Sequence, residues 1–136
     1  MNIQHDIKIA RQIGSYGDAV EVPAGARWLF TSGTPGLTAE GQLPDDIESQ
    51  TELAWSHILE MLRRAGMTVQ DIVKVTQYLR SPNDIQAYAG VRKRILEGAR
   101  PASMLLANCE LVRKDFLVEV EIVAARAEGK GQSEGV

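Results

Sequence analysis

The run Phe116-Leu-Val-Glu-Val-Glu-Ile-Val-Ala-Ala125 limits the fold more than any other stretch of the chain. Alternate side chains of a strand point to opposite faces, so Phe116, Val118, Val120, Ile122 and Ala124 share one wholly apolar face. The other face carries Leu117, Glu119, Glu121, Val123 and Ala125. Such a strand belongs in a sheet with a hydrophobic layer packed on it. Two segments have the helical spacing to supply that layer. In the first, Asp45 reads as the N-cap with Glu48 three residues on, and Ala54, Ile58, Met61, Leu62 and Ala65 form the apolar stripe. Arg63 and Arg64 suit its last turn, and Gly66 stops it. In the second, Ser81 caps, Pro82 takes the first helical position and Asp84 completes the box. Ile85, Tyr88, Ala89, Arg92 and Ile95 mark one face, and Gly98 ends it.

Other strands are read at Ile3 to Ile9, Asp18 to Val22, Trp28 to Ser32, Ile72 to Leu79, and from Met104 to Leu106. Pro23 to Ala26 is a turn, so that the second strand flanks a hairpin with the third. Thr34 to Pro44 is a loop. The order β-β-β-α-β-α-β-β predicts an α+β fold: a mixed β-sheet with both helices packed on one face. Trp28, Phe30 and the long apolar strand would leave the second face sticky, so a single helical layer predicts self-association.

With 136 residues, one domain is expected over 1–127, followed by a glycine-rich polar tail, 128–136, expected to be disordered. The net charge of −3 argues against nucleic acid as the main partner, because phosphate binding needs a basic face. Met1 to Arg11 lacks the apolar core of a signal segment and no run is long enough to span a membrane, so a cytoplasmic protein is expected. The single cysteine, Cys109, excludes an internal disulfide and reads as a small buried hydrophobe. No His, Cys, Asp or Glu set has the spacing of metal ligands.

Several residues carry chemistry. Glu119 and Glu121 point to the same side of their strand. They read either as a crowded pair suited to acid–base work or as a solvated or subunit-facing surface paired with Lys or Arg. Ser32-Gly33-Thr34 ends a strand, where free amides can floor a ligand site or make an ordinary turn. Arg100, ahead of Pro101-Ala102-Ser103, reads equally as a carboxylate clamp or a loop arginine in water. His57 reads as a surface or groove side chain, and His5 has no visible partner in the sequence.

Taken in order, these pieces form a pattern: Ile13-Gly14-Ser15-Tyr16, Leu29-Phe30-Thr31-Ser32-Gly33, Ala65-Gly66-Met67, Asp71-Ile72-Val73-Lys74-Val75-Thr76, Arg100-Pro101-Ala102 and Leu117-Val118-Glu119-Val120-Glu121-Ile122-Val123-Ala124. The chain resembles the Rid/YjgF family of reactive-intermediate enamine/imine deaminases. The resemblance implies a chorismate-mutase-like fold and a homotrimer, with the sheets as an inner barrel and clefts between subunits. It implies hydrolysis of imines or enamines without metal or cofactor. Glu119 matches the glutamate that positions water, Tyr16 the cleft tyrosine, and Ser32 and Gly33 the strand-end pair. Thr34, Leu105, Arg100 and Ser103 complete the expected small-molecule site. The chain departs from the family where Pro-Ala-Arg becomes Pro101-Ala102-Ser103, and where a helix asparagine becomes Ala89. A guanidinium fork makes two charge-assisted bonds to a carboxylate, whereas serine offers one neutral donor. Arg100 and Arg27 are the cations at hand to replace it. The expected function is a divergent enamine/imine hydrolase, the alternative a non-catalytic ligand binder or metabolic sensor on the same scaffold, and a ribonuclease comes third.

Overall fold

The computed structural model describes residues 1–128. Its strands are β1 (Ile3–His5), β2 (Ala19–Glu21), β3 (Ala26–Phe30), β4 (Thr34–Pro35), β5 (Ile72–Leu79), β6 (Ala102–Leu106) and β7 (Val118–Ala127). Its helices are α1 (Ile47–Arg64) and α2 (Ile85–Leu96). The main sheet runs β3-β7-β5-β6, with β4 also paired to β7. Of its strand pairs, β5 with β6 is parallel, as the crossover through α2 requires, and the others are antiparallel. The apolar run at the C-terminus is thus the centre of the sheet, with β5 on one side and β3 and β4 on the other. Both helices cover one face, which is the α+β arrangement expected.

The core follows from strand parity. Val118, Val120, Ile122 and Ala124 of β7 and Val75 and Leu79 of β5 meet Ala54, Trp55, Ile58 and Leu62 of α1, with Tyr88 and Leu96 from α2. Each of the larger apolar side chains contributes about 1.5–3 kcal/mol on burial. Gln50 is buried in the same helix and ties it to the loops. Its Nε2 donates to the carbonyls of Pro44 (2.8 Å) and Asp115 (3.1 Å), and its Oε1 accepts from the amide of Leu117 (2.9 Å). Gly36 lies against the same turn of α1: a methyl group on it would stand 2.3 Å from the carbonyl oxygen of Gln50. Gly36→Ala is therefore expected to lower stability by about 1–3 kcal/mol, read as a lower denaturant midpoint at unchanged slope.

Among the described residues, no layer covers the opposite face. Trp28 is 52% exposed, Phe30 70%, Met104 52% and Leu106 41%, and the Trp28 and Phe30 rings stack with centroids 6.2 Å apart. These values place large apolar groups of several strands in solvent on one side of the sheet.

Several local expectations change. The strand from Ile3 shortens to His5 and is wholly exposed, because β1 pairs only with β2 in a separate two-stranded sheet. Asp18 ends it: its carboxylate takes the amides of Ile7 and Ala10 at 2.8 Å, turning the chain. β2 therefore forms no hairpin with β3, although Gly25 supplies the expected turn at φ 82°. β4 falls inside the expected loop, where Pro35 pairs with Glu119. The cap of α1 is Asp46, not Asp45, accepting from the Ser49 amide. Ser81 caps a single 3-10 turn, Pro82–Asp84, and Asp84 makes no side-chain cap for α2. β6 begins earlier, at Ala102, and β7 runs later, to Ala127. Cys109 is half-buried rather than buried, since it follows the end of β6 and only its amide ties to the sheet, at Leu79 (3.1 Å). His5 does have a partner, Glu21, at 2.7 Å. The expected tail lies outside the described residues except for Glu128, which pairs with Arg27.

Candidate functional site

Burial of Val118 and Val120 forces Glu119 and Glu121 to the uncovered face. The register sets Tyr78 opposite Glu119 and Thr76 opposite Glu121. The Tyr78 hydroxyl donates to Glu121 Oε1 at 2.7 Å. That bond raises the Tyr78 pKa and engages one carboxylate of the pair. No donor among the described residues reaches the Glu119 carboxylate. Its partial burial, and then the charge of Glu121, push its pKa above the ordinary carboxylate range. The two glutamates are thus divided in role: one is held by a phenol, the other stands free and holds its proton more tightly. Neither is paired with Lys or Arg among the described residues.

The strand-end residues close in on this carboxylate. A methyl on Gly33 would lie 2.8 Å from Glu119 Oε1, so the strand-end backbone comes close to this carboxylate and a larger residue there would push the carboxylate aside. The Thr34 hydroxyl donates to the Ser32 carbonyl (2.9 Å), and the Thr31 hydroxyl accepts from the Ile122 amide (2.9 Å), which holds the turn to β7. Ser32, Gly33, Thr34 and Glu119 therefore form one cluster.

Tyr16, Ser103 and Leu105 form another. With Ile13, Ile85, Ala89, Arg92 and Met104 they line a cavity of about 540 Å³ between the 13–16 loop, α2 and β6. Arg100 is not among its lining residues. Its Nη2 donates to the Tyr16 carbonyl (2.8 Å), and the Gly17 amide donates to the Pro101 carbonyl (3.0 Å), so this stretch fastens the 14–17 loop to the start of β6. Arg27 is occupied at the other end of the sheet by Glu128 and the Ala65 carbonyl. Neither expected substitute for the clamp stands in the cavity.

What does stand there is a network that the sequence reading missed. Gln77 is fully buried. Its Nε2 donates to Ser103 Oγ (3.0 Å) and the Met104 carbonyl (2.8 Å). Its Oε1 accepts from the Tyr88 hydroxyl (2.7 Å) and from Arg92 Nη1 (2.8 Å). Desolvation drives the Tyr88 pKa far up, so the phenol stays a donor. The signal was present in the chain: Gln77 occupies a core parity between Val75 and Leu79, and Arg92 sits in the apolar stripe of α2. His57 is half-buried, with its Nε2 bonded to the Leu37 carbonyl at 2.7 Å. Among the described residues, no cluster of His, Cys, Asp or Glu has the makings of a metal site.

The two clusters lie on different sides of the sheet. Val75 and Gln77 face the helices, and the register sets Ser103 and Leu105 beside them. Thr76 and Tyr78 face the other way, with Glu121 and Glu119. Within one chain, the Glu119 cluster and the Tyr16–Ser103 cavity do not share a cleft.

Known proteins share this architecture. A family model described as endoribonuclease L-PSP matches residues 8–126. A RutC family protein of Haemophilus influenzae is 30% identical over 128 residues, covering 91% of this chain and 96% of its own. The crystal structure of YyfB from Yersinia pestis, described as a Rid-family protein of unknown function, superposes with TM-score 0.80 at 26% identity, covering 92% of this chain and 98% of that one. The structure of E. coli TdcF with bound serine superposes with TM-score 0.69 at 28% identity, covering 85% and 91%. No helix among the described residues is long and apolar enough to cross a membrane.

Proposed function

Because the chain belongs to the endoribonuclease L-PSP family, the Rid/YjgF group, we propose that it hydrolyses a reactive imine or enamine in clefts formed between copies of itself, with no cofactor. The observation that carries this reading is the split site: a free, raised-pKa glutamate lies on the uncovered sheet face and a ligand-sized cavity on the other side. A second copy docking its Glu119 face beside the cavity brings both into one cleft and covers Trp28 and Phe30. We take the assembly to be the homotrimer that the family resemblance implies, and the compartment to be the cytoplasm.

In the cleft, Glu119 orients a water molecule toward the carbon of the C=N bond. As the water oxygen bonds to that carbon, Glu119 takes one of its protons. With the imine protonated, the C=N electrons pass to nitrogen and a neutral carbinolamine forms. Glu119 returns its proton to that nitrogen, the C–N bond breaks to release ammonia, and the hydroxyl proton passes back to the Glu119 carboxylate as the oxygen closes the carbonyl. Tyr16 and Leu105 line the ligand pocket, and the amides of the Ser32–Thr34 turn sit beside the reacting centre. The serine held by TdcF is a small amino acid, which supports a ligand of that size. The net charge of −3 weighs against the ribonuclease reading.

A second reading, a binder without turnover, draws support from Ser103, whose hydroxyl is held by Gln77 at the position where the family arginine is absent. The test is hydrolysis of freshly generated 2-iminopropanoate and 2-iminobutanoate by the native protein and by Ser103→Arg. Ammonia release by the native protein above the buffer rate is the expected result. Activity appearing only in Ser103→Arg favours the binder, and silence in both overturns the hydrolase.

A further inference from the structure

We propose that Arg92, on α2, is the anion-binding residue of the cavity, where it takes a short-chain carboxylate in place of a clamp on β6. Arg92 is 8% exposed, yet among the described residues no carboxylate pairs with it. A buried guanidinium without a counter-ion is costly unless something else neutralises it. Its one protein acceptor is Gln77 Oε1, and its guanidinium carbon lies 5.5 Å from the centre of the Tyr88 ring. A guanidinium has more donors than this uses, and the residue lines the cavity.

The surroundings hold it in place. Gln77 is locked by bonds at both ends of its amide, to Ser103 and Met104 on one side and to Tyr88 and Arg92 on the other. One neutral side chain therefore couples the cation to Ser103, which leaves the serine hydroxyl free to donate to the same ligand. The rest of the lining combines the apolar Ile13, Ile85, Met104 and Leu105 with the polar Ser15 and Tyr16 and a second cation, Lys93, next to Arg92 in sequence. A small anion with a short hydrocarbon end fits that combination.

The inference rests on the reading of this cleft as a small-molecule site, and it holds for hydrolysis and for binding alone. Its test therefore reads binding, not turnover. Butanoate and its neutral isostere butanamide would be titrated into the native protein and into Arg92→Met and Arg92→Lys. The native protein is expected to bind butanoate at least about ten-fold more tightly than butanamide. Arg92→Met should lose that preference, keep its melting temperature or gain, and still bind butanamide. Arg92→Lys should keep part of the preference. In the native protein, the Arg92 side-chain Nε–H resonance should shift with butanoate and not with butanamide, a readout that needs no variant to fold. Equal binding of the two probes, or a fixed resonance, overturns the proposal. So does a methionine variant that melts lower and retains the preference, which would make Arg92 a packing residue. Butanoate preference with no imine turnover would retain this inference and refute the hydrolase.

Discussion

Glutamine in place of Glu119 is expected to lower imine hydrolysis by about 10²–10⁴-fold, the usual contribution of a positioned proton acceptor. The substitution keeps the side-chain volume and the contact with Gly33, and removes only the group that can take a proton. The Tyr78–Glu121 bond is untouched, so a variant failing through general disruption would be recognised by loss of assembly. A stability measurement on the same protein separates the two explanations. The pKa of Glu119 is raised in the folded chain, by its own burial first and then by Glu121. The folded protein thus binds the Glu119 proton more tightly than the unfolded one does. Its stability falls as pH rises from the ordinary carboxylate range through the raised value, and above that value the penalty is constant. Below both values the penalty is absent. Glu119→Gln should therefore be more stable than the native chain at neutral pH, with the difference vanishing in acid. A variant that is inactive and also less stable at neutral pH contradicts the assignment. So does one that keeps full turnover.

Phe30→Glu is expected to convert the assembly to monomers and abolish turnover with it, while leaving the monomer folded. Phe30 is 70% exposed and stacks on Trp28, away from the core that the helices cover. Covering an aromatic side chain contributes about 1.5–3 kcal/mol, and a carboxylate at the same place adds a desolvation cost. Together these shift an association equilibrium by at least about two powers of ten, since each 1.4 kcal/mol is roughly tenfold. Light scattering across a dilution series would show it, with circular dichroism confirming the fold. Native protein that is monomeric at tens of micromolar and still hydrolyses imines would show that one chain is sufficient. The split between the Glu119 cluster and the Tyr16–Ser103 cavity would then have no bearing on catalysis.

The chain was legible where a signal is repeated along it. β5 falls at the residues its β-branched run marks out, Ile72–Leu79, and the stripe from Ala54 to Ala65 packs on the sheet. Alternation along β7 assigned Glu119 and Glu121 to one side. Features that hang on a single residue are not set by a period. Asp45 and Asp46 have the same capping chemistry, and only the Ser49 amide distinguishes them. The first strand's alternation was genuine, but its isoleucines had no layer to pack on. Arg100 and Arg27 are the cations expected to replace the clamp. Each is used by a carbonyl or carboxylate elsewhere in the chain. Arg92 falls on the marked face of α2, and its role depends on Gln77, fifteen residues away.

By itself, the sequence determined both long helices and the main strands of the sheet, the face each side chain takes along its own strand or helix, and the need for cover on both sides of β7. Those are local properties, set by a period of two or of 3.6 residues. Only the tertiary structure decided that Glu119 and the Tyr16–Ser103 cavity lie on different sides of one sheet, that Arg92 rather than Arg100 lines that cavity, and that β2 leaves β3 for β1. Those depend on strand register and on which face the helices occupy, and both are set by contacts between residues far apart in the chain, where no local period reaches.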